Sequence, residues 1–369
     1  MPSDAARPHV AIVTGANLQP GAPGGTRTYV LGLAAYLVSR HVPVDIVSNG
    51  PAPDVPRACT VRPVRDDHTP SATRFQRDLR RWATLENLGS FDVLHFQRPD
   101  DASFVPSRPS TPTSVCTLHG DAVRGVRRRR GALTAWAYAR REARAFPRFR
   151  AAIAVDTATA EAYRRRYPGA AARIHVIPNA VDPVFFGSSA AHDDAAVTGP
   201  PLFLYAGRLS IEKRVDRIID AMADRERLLD ASLVIAGSGP EERRLRERAN
   251  GASVRFEGNL DRAALAAWYR RADALVLASE YEGLPSVALE ALALGCPVVA
   301  LRGCGVDALV AEGGGVLADD PDDLPRALAD AMRLRRGGTR ARLPDAFTWA
   351  SVGPQILDVY TEAMEGRSV

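Results

Sequence analysis

Two glutamates, Glu282 and Glu290, stand eight positions apart in Ser279-Glu-Tyr-Glu-Gly-Leu-Pro-Ser-Val-Ala-Leu-Glu-Ala-Leu. Gly283, Leu284 and Pro285 directly follow the first. Proline suits the first position of a helix, where its fixed φ fits and its missing N–H is not needed. The spacing therefore predicts a helix from Pro285 to Leu294, with Glu282 in the loop before it and Glu290 about one and a half turns inside. The first-turn amides of Ser286, Val287 and Ala288 would face that loop, and such a helix start attracts phosphate. A carboxylate on each side of an anion site suits a ligand with hydroxyls at both ends and phosphate between, as in a nucleotide-sugar. The plainer reading is a helix whose acidic residues merely favour its dipole.

Lys and Arg total 48, yet Lys213 is the one lysine. An arginine-biased codon usage accounts for the rest and weakens any argument from arginine number. It sharpens the argument for Lys213, because a compact ammonium and a planar guanidinium differ in geometry. Arg208 and Lys213 lie in Gly207-Arg-Leu-Ser-Ile-Glu-Lys, past a strand end. Two such cations can clamp a diphosphate; solvated surface charges are the alternative.

His119 ends the apolar run Ser114–Leu118 and precedes Gly120. Ligands of open parallel sheets bind beyond the carboxyl ends of strands, so His119 is placed either to reach a cleft or simply to sit in a loop. The segment Thr14 to Gly25 is glycine-rich but lacks G-x-G-x-x-G and is interrupted by two prolines, which argues against a nicotinamide site. The Gly24-Gly25 pair at a helix start still fits close approach to a phosphate. Gly237-Ser-Gly-Pro240 reads as a structural turn. Asp320-Pro-Asp322-Asp323 contains a D-x-D, but a helical run follows at once, so capping explains it better than a metal. Arg124, Arg127–Arg130, Arg140, Arg141, Arg144, Arg148 and Arg150 form a basic block with Trp136, Tyr138, Phe146 and Phe149 interleaved. It reads first as a solvated face, and second as a surface for anionic lipid or an acidic acceptor. No motif supports nucleic-acid binding.

Strands and helices alternate throughout. Strands are predicted at 10–14, 44–48, 93–96, 113–118, 153–155 and 174–177, then at 202–206, 233–236, 254–256, 274–277 and 298–300. Such alternation predicts parallel sheets with helices on both faces. The small, polar, proline-flanked stretch 187–201 reads as a linker. The fold class is α/β, with two Rossmann-like domains: 1–186, 187–346, and a last helix over 347–369 that packs back on the first domain.

The chain's 369 residues suffice for two domains. Forty-six per cent hydrophobic and 25 per cent charged residues give a globular composition. No apolar run reaches the length of a membrane span, and Met1–Arg7 lacks the apolar core of a signal peptide. The four cysteines show no zinc spacing. These features predict a cytoplasmic protein with reduced, buried thiols and no structural metal.

In order and spacing these pieces resemble glycosyltransferase family 4, the retaining nucleotide-sugar transferases of the GT-B architecture. The resemblance is densest from 174 to 317. It rests on Val176-Ile-Pro-Asn-Ala-Val-Asp182, Gly207-Arg208 with Lys213, Ala236–Pro240, and the Glu282/Glu290 element, with Gly24-Gly25 and His119 in the first half. It implies two domains facing each other across a cleft, the first for the acceptor and the second for the donor. It implies that Glu290 holds the ribose and that Arg208 and Lys213 neutralise the diphosphate. Glu282 would meet sugar hydroxyls, with the Gly283, Leu284, Pro285 and Ser286 backbone on sugar and phosphate. Gly25 would offer its N–H to the diphosphate, His119 would lie beside the reacting centre, and the base would rest near Gly258, Asn259 and Leu260. The family's usual proposal is front-face attack, in which a diphosphate oxygen takes the acceptor's proton. No metal or other cofactor is then needed.

The chain departs from the family pattern at Arg214, where glycine is frequent, at Ala180, likewise, and at Cys304-Gly-Val-Asp-Ala308, where Gly-Gly-Val-Pro-Glu is frequent. The expected reaction is transfer of a hexosyl group, glucose or N-acetylglucosamine, from a UDP-sugar to a small polar acceptor of secondary metabolism, such as an aminocyclitol in antibiotic biosynthesis. A membrane-surface transferase acting on a lipid-linked acceptor is the runner-up. An epimerase or a non-catalytic nucleotide-sugar binder is the alternative of another class.

Overall fold

A computed structural model of the chain describes residues 7–366 except 21, 23, 66–70, 87, 109–110, 187–198, 225 and 339–340. The chain forms two compact units, residues 1–180 with 349–369, and residues 181–348. The boundary falls between Ala180 and Val181, ahead of the predicted linker, most of which lies outside the described residues.

The first unit is built on a seven-stranded sheet. Its strands are β1 (Val10–Thr14), β2 (Val44–Ser48), β3 (Thr60–Pro63), β4 (Val93–Phe96), β5 (Thr113–Leu118), β6 (Ala151–Ala154) and β7 (Ile174–Val176). They run parallel in the order β3-β2-β1-β4-β5-β6-β7. Every residue of β1, β2, β4 and β6 is buried. Helices cover both faces of such a sheet, so its central strands read as continuous apolar runs. β6 begins two residues earlier than predicted, and β3 was not predicted. It is an edge strand, partly exposed and ending in Pro63, a residue tolerated only at such an edge.

The second unit carries six parallel strands: β8 (Leu202–Ala206), β9 (Ser232–Ala236), β10 (Val254–Gly258), β11 (Ala274–Leu277), β12 (Val298–Leu301) and β13 (Gly315–Ala318), in the order β10-β9-β8-β11-β12-β13. β13, also unpredicted, is a short edge strand whose Gly315 presses on β12. A Cβ there would lie 1.9 Å from the Val298 carbonyl. Each sheet thus has one point where strand order reverses, between β1 and β4 in the first and between β8 and β11 in the second. In open α/β sheets the crevice beyond the strand ends at that point is the ligand position.

The last helix, Trp349–Glu365, belongs to the first unit. Trp349, Val352, Ile356, Val359, Tyr360 and Ala363 join that unit's core. It lies against the helix Gly25–Ser39 so closely that a Cβ on Gly32 would meet the Trp349 ring at 2.6 Å, and one on Gly353 would meet the Tyr36 ring at 2.2 Å. All four cysteines are free thiols; Cys116, Cys296 and Cys304 are buried, whereas Cys59 is only half-buried.

Candidate functional site

In the second unit the loops after β8 and β11 flank the reversal point. Gly207, Arg208 and Lys213 follow β8; Ser279, Glu282 and Gly283 follow β11. The Lys213 ammonium pairs with Glu282 Oε1. Ser279 Oγ donates to the same oxygen at 2.8 Å. A backbone bond from Glu280 N–H to the Glu212 carbonyl (3.0 Å) ties the two loops together. Arg208 is exposed and, among the described residues, its guanidinium has no ion-pair partner. The unit therefore presents one held cation and one open cation on the same strand end, beside a carboxylate.

The loops are shaped by glycine where nothing larger fits. A Cβ on Gly305 would stand 1.9 Å from the Gly283 carbonyl, and Cys304 Sγ lies 3.0 Å from the Ser279 carbonyl. The segment that departs from the family pattern is thus the floor under the Glu282 turn. A Cβ on Gly237 would stand 1.9 Å from the Gly207 carbonyl, and one on Gly239 2.2 Å from that of Leu209. The turn after β9 is structural, as its sequence suggests, and it buttresses the loop that carries Arg208. Ser238 Oγ reaches Asn259 Oδ1 at 3.0 Å, and Gly237 N–H reaches the Gly258 carbonyl. Gly258, Asn259 and Leu260 therefore join the same strand-end surface.

Arg214 has φ +48, ψ +42. This left-handed conformation is the reason glycine is natural at that position. Arginine is held there by a paired contact with Asp216 (3.1 and 3.0 Å) and by Glu280 (3.2 Å). Ala180 is absent from the positive-φ positions, so nothing in its backbone calls for glycine.

The helix of the Glu282/Glu290 element runs Ser286–Ala293, with Pro285 as an extended N-cap, one residue outside the predicted position. Ala288 is not a free donor: its N–H bonds the Pro285 carbonyl at 3.1 Å. Ser286 and Val287 remain as the first-turn amides facing the loop. Glu290 is buried on this helix, 6% exposed, with Tyr269 OH donating to its Oε2 at 3.1 Å. Burial raises its pKa from 4.5 to about 7, against the lowering effects of Tyr269 and the Arg262 charge. Arg262 in turn is paired to Asp182. Glu290 thus ends a chain that begins in the Asn179–Asp182 motif. Sequence reading singled out Asp182 but missed Arg262 and Tyr269, which lie distant along the chain and in no recognisable spacing.

The first unit has its own cluster at its reversal point. His119, just past β5, donates through Nε2–H to Gln97 Oε1 at 2.9 Å, and Gln97 follows β4. Tyr29, on the helix that follows β1, meets the His119 ring edge-on at 5.0 Å. Burial lowers the His119 pKa from 6.5 to about 4, so it is neutral at pH 7. Behind it, His95 is fully buried and bonded to Thr117 Oγ1 (2.8 Å) and Tyr360 OH (2.7 Å). Thr117 Oγ1 also meets Tyr29 OH at 3.2 Å. Gln97, Tyr29, His95 and Tyr360 carried no motif in the sequence. Gly24 caps the helix Gly25–Ser39 with φ +141, and Gly25 opens that helix; Gly21 lies outside the described residues.

The D-x-D at 320–322 is a cap: Asp320 accepts from the amides of Asp322 (2.9 Å) and Asp323 (3.1 Å). Among the described residues no three His, Cys, Asp or Glu side chains are grouped to hold a metal ion, and no helix is long and apolar enough to cross a membrane.

Two units, each a parallel sheet with a single reversal of strand order, give the chain the GT-B fold of glycosyltransferases. Residues 23–185 match the Glycosyltransferase Family 4 model, and residues 190–345 match that of Glycosyl transferases group 1. The chain belongs to this family, the group 1 glycosyltransferases of family 4. Among its relatives is a GDP-mannose-dependent alpha-(1-6)-phosphatidylinositol dimannoside mannosyltransferase of Mycobacterium tuberculosis, 36% identical over 42% of this chain and 42% of the relative. This chain thus matches less than half of that relative's length. A D-inositol 3-phosphate glycosyltransferase of Xylanimonas cellulosilytica is 28% identical over 95% of this chain and 94% of its own. Among solved structures, sucrose-phosphate synthase from Thermosynechococcus elongatus superposes with a TM-score of 0.79 at 22% identity, covering 98% of this chain and 100% of that one. WaaG, a glycosyltransferase involved in lipopolysaccharide biosynthesis, gives 0.75 at 18%, covering 95% and 99%. At these identities the structures speak for the fold alone.

Proposed function

We propose that the protein transfers a hexosyl group, with retention, from a nucleoside-diphosphate sugar to a hydroxyl of a small polar acceptor. The second unit is the donor domain and the first the acceptor domain. The observation that carries this reading is the strand-end group of Arg208, Lys213, Ser279 and Glu282 beside the start of the helix Ser286–Ala293. Departure of a nucleoside diphosphate places negative charge on phosphate oxygens. Fixed cations and oriented amides stabilise that charge without reorganising, which is the strongest form of such stabilisation.

In this reading Arg208 meets the diphosphate first, because it is open to solvent. Lys213 then exchanges part of its bond with Glu282 for phosphate, and Glu282 turns its freed capacity to a sugar hydroxyl. Glu290 accepts from the ribose diol, with Tyr269 holding the other oxygen. Gly258, Asn259 and Leu260 border the base. Gly24 and Gly25, with no side chains, leave backbone open to phosphate. His119, neutral, supplies a hydrogen bond to a sugar or acceptor hydroxyl without adding charge. These cations do the work that a divalent ion does in other transferases, so no metal enters the scheme.

The donor is taken as a UDP-hexose, glucose or N-acetylglucosamine, and the acceptor as a cyclitol or related polyol. The full-length similarity to a D-inositol 3-phosphate glycosyltransferase supports a cyclitol acceptor. A lipid-linked acceptor is the second reading, supported by the mannosyltransferase whose name specifies phosphatidylinositol dimannoside. The test is a melting-temperature screen with UDP-, GDP- and ADP-sugars, followed by product analysis with cyclitols. One donor should stabilise the protein by about 2.7 kcal/mol at a hundredfold excess over its Kd, and the product should keep the donor's anomeric configuration. Conversion of the donor alone to its epimer would replace this reading with an epimerase. Stabilisation with no turnover of any acceptor would leave a binding protein.

A further inference from the structure

We propose that Arg214 is a positioning residue, whose guanidinium ties the loop carrying Lys213 to the loop carrying Glu282 and so sets the geometry of that pair. The kinetic consequence rests on the transferase reading above; the tether itself does not. Arg214 directly follows Lys213. Its guanidinium forks onto Asp216 at 3.1 and 3.0 Å and reaches Glu280, two residues before Glu282, at 3.2 Å. Asp216 stands in the first turn of the helix Val215–Ala221. Arg244, on the helix Glu242–Arg248, also approaches it, at 3.6 Å. The far end of the tether is therefore fixed by two helices. On the other side of Lys213, the Glu212 carbonyl accepts from the Glu280 N–H at 3.0 Å. Glu280 is thus held from both neighbours of Lys213, once by backbone and once by the arginine.

Stability alone does not call for arginine here. At φ +48, ψ +42 a side chain's Cβ crowds the backbone, a cost that glycine escapes. The Arg214 side chain is 27% exposed, and ion pairs open to water contribute little to stability. The residue therefore carries strain that its contacts hardly offset. Backbone strain of this kind collects at functional sites, where the surroundings over-determine the conformation. What the contacts supply is geometry: they fix the spacing of two loops whose charged groups meet.

Two substitutions separate tether from strain. Arg214→Gly removes both, whereas Arg214→Ala removes the tether and keeps the strain. Stability should follow the strain, and turnover the tether. In denaturant melts the glycine variant should be at least as stable as the parent, and the alanine variant less stable. Both should lose about tenfold or more in kcat, because small displacements of a reacting group are costly. Arg214→Lys should recover only part, since one ammonium cannot replace a fork. In a Lys213→Ala background, Arg214→Gly should cost less than about twofold, because the group it positions is gone. Hydrogen exchange of the ligand-free protein reads the tether without any reaction. The Glu280 amide should exchange about threefold faster or more in both variants. Unchanged exchange overturns the tether whether or not the chain transfers a sugar. With faster exchange, turnover retained in Arg214→Gly, or a full tenfold loss added to Lys213→Ala, overturns the positioning role. A parent that turns over no donor and acceptor would remove the transferase reading and this role with it, while the exchange result would still stand.

Discussion

Glu282 and Lys213 constrain each other before any ligand arrives. Their ion pair, with Ser279 on the same carboxylate oxygen, fixes where the ammonium stands. If Lys213 stabilises the departing diphosphate, Lys213→Ala should lower kcat and kcat/KM together by about a hundredfold or more. Lys213→Arg should recover only part, since a planar fork cannot take a point charge's position. Because the two residues are in contact, Glu282→Gln and Lys213→Ala should not add. A double-mutant cycle in steady-state kinetics is expected to show coupling of roughly 0.5–3 kcal/mol, and simple additivity would mean that the pair is an idle surface contact. Glu290 offers a pH test. Its carboxyl, raised from 4.5 to about 7 by burial, holds a proton in the folded protein that the unfolded chain has lost between those values. Ligand-free stability should therefore fall as pH rises from about 4.5 to 7. Nucleotide affinity should rise through pH 7, because the ionised form is the better acceptor for a ribose diol. Glu290→Gln should bind nucleotide more weakly, by about 1.5–3 kcal/mol, and calorimetry should find the pH step gone. A step that persists in this variant assigns the titration to another group.

At the scale of elements, the strand ends position everything. The loop after β11 sits on Gly305, and there is no room for a side chain between them. Gly305→Ala should therefore displace the Glu282 turn as well as strain a left-handed residue, raising the donor KM in kinetics while the sheet itself stays folded by circular dichroism. The last helix does similar work in the first unit. Tyr360 OH is the partner of the buried His95 Nδ1, and Trp349 packs 5.9 Å from Tyr29, the ring against His119. Tyr360→Phe leaves that nitrogen without its partner and should cost about 1–3 kcal/mol in denaturant melts. An unchanged midpoint would mean that His95 finds another partner, and that the C-terminal helix contributes packing alone.

For the molecule as a whole, the prediction concerns metal. Arg208 and Lys213 supply two positive charges at the strand ends, and Asp320 is committed to capping the turn Pro321–Asp323 that leads into the helix Leu324–Arg336. Transfer is expected to proceed undiminished in excess chelator. Loss of turnover that manganese or magnesium restores would require a cation in the scheme and would reduce Arg208 and Lys213 to auxiliary roles. The two units divide the labour in the proposed scheme. Each has its own parallel sheet and its own reversal point, and each gathers its candidate residues there.

Much of this was legible in the sequence because it is local. Buried parallel strands are short apolar runs, so β1, β2, β4, β5, β8 and β11 could be placed to the residue. Pro285 and the acidic run at 320–323 announce helix starts through their own backbone chemistry. Lys213 and the two glutamates stand out by type and spacing. The edge strands β3 and β13 were not legible, since half-exposed four-residue segments carry little apolar signal. Partnership was not legible either. That Lys213 meets Glu282 across 69 positions, that Tyr269 holds Glu290, and that Tyr360 reaches His95 across 265 depends on which strands lie side by side. The chain writes residue types and local periods, but sheet order brings distant strand ends together. Only the tertiary structure decided which charges are paired, which are buried, and which remain open to a ligand.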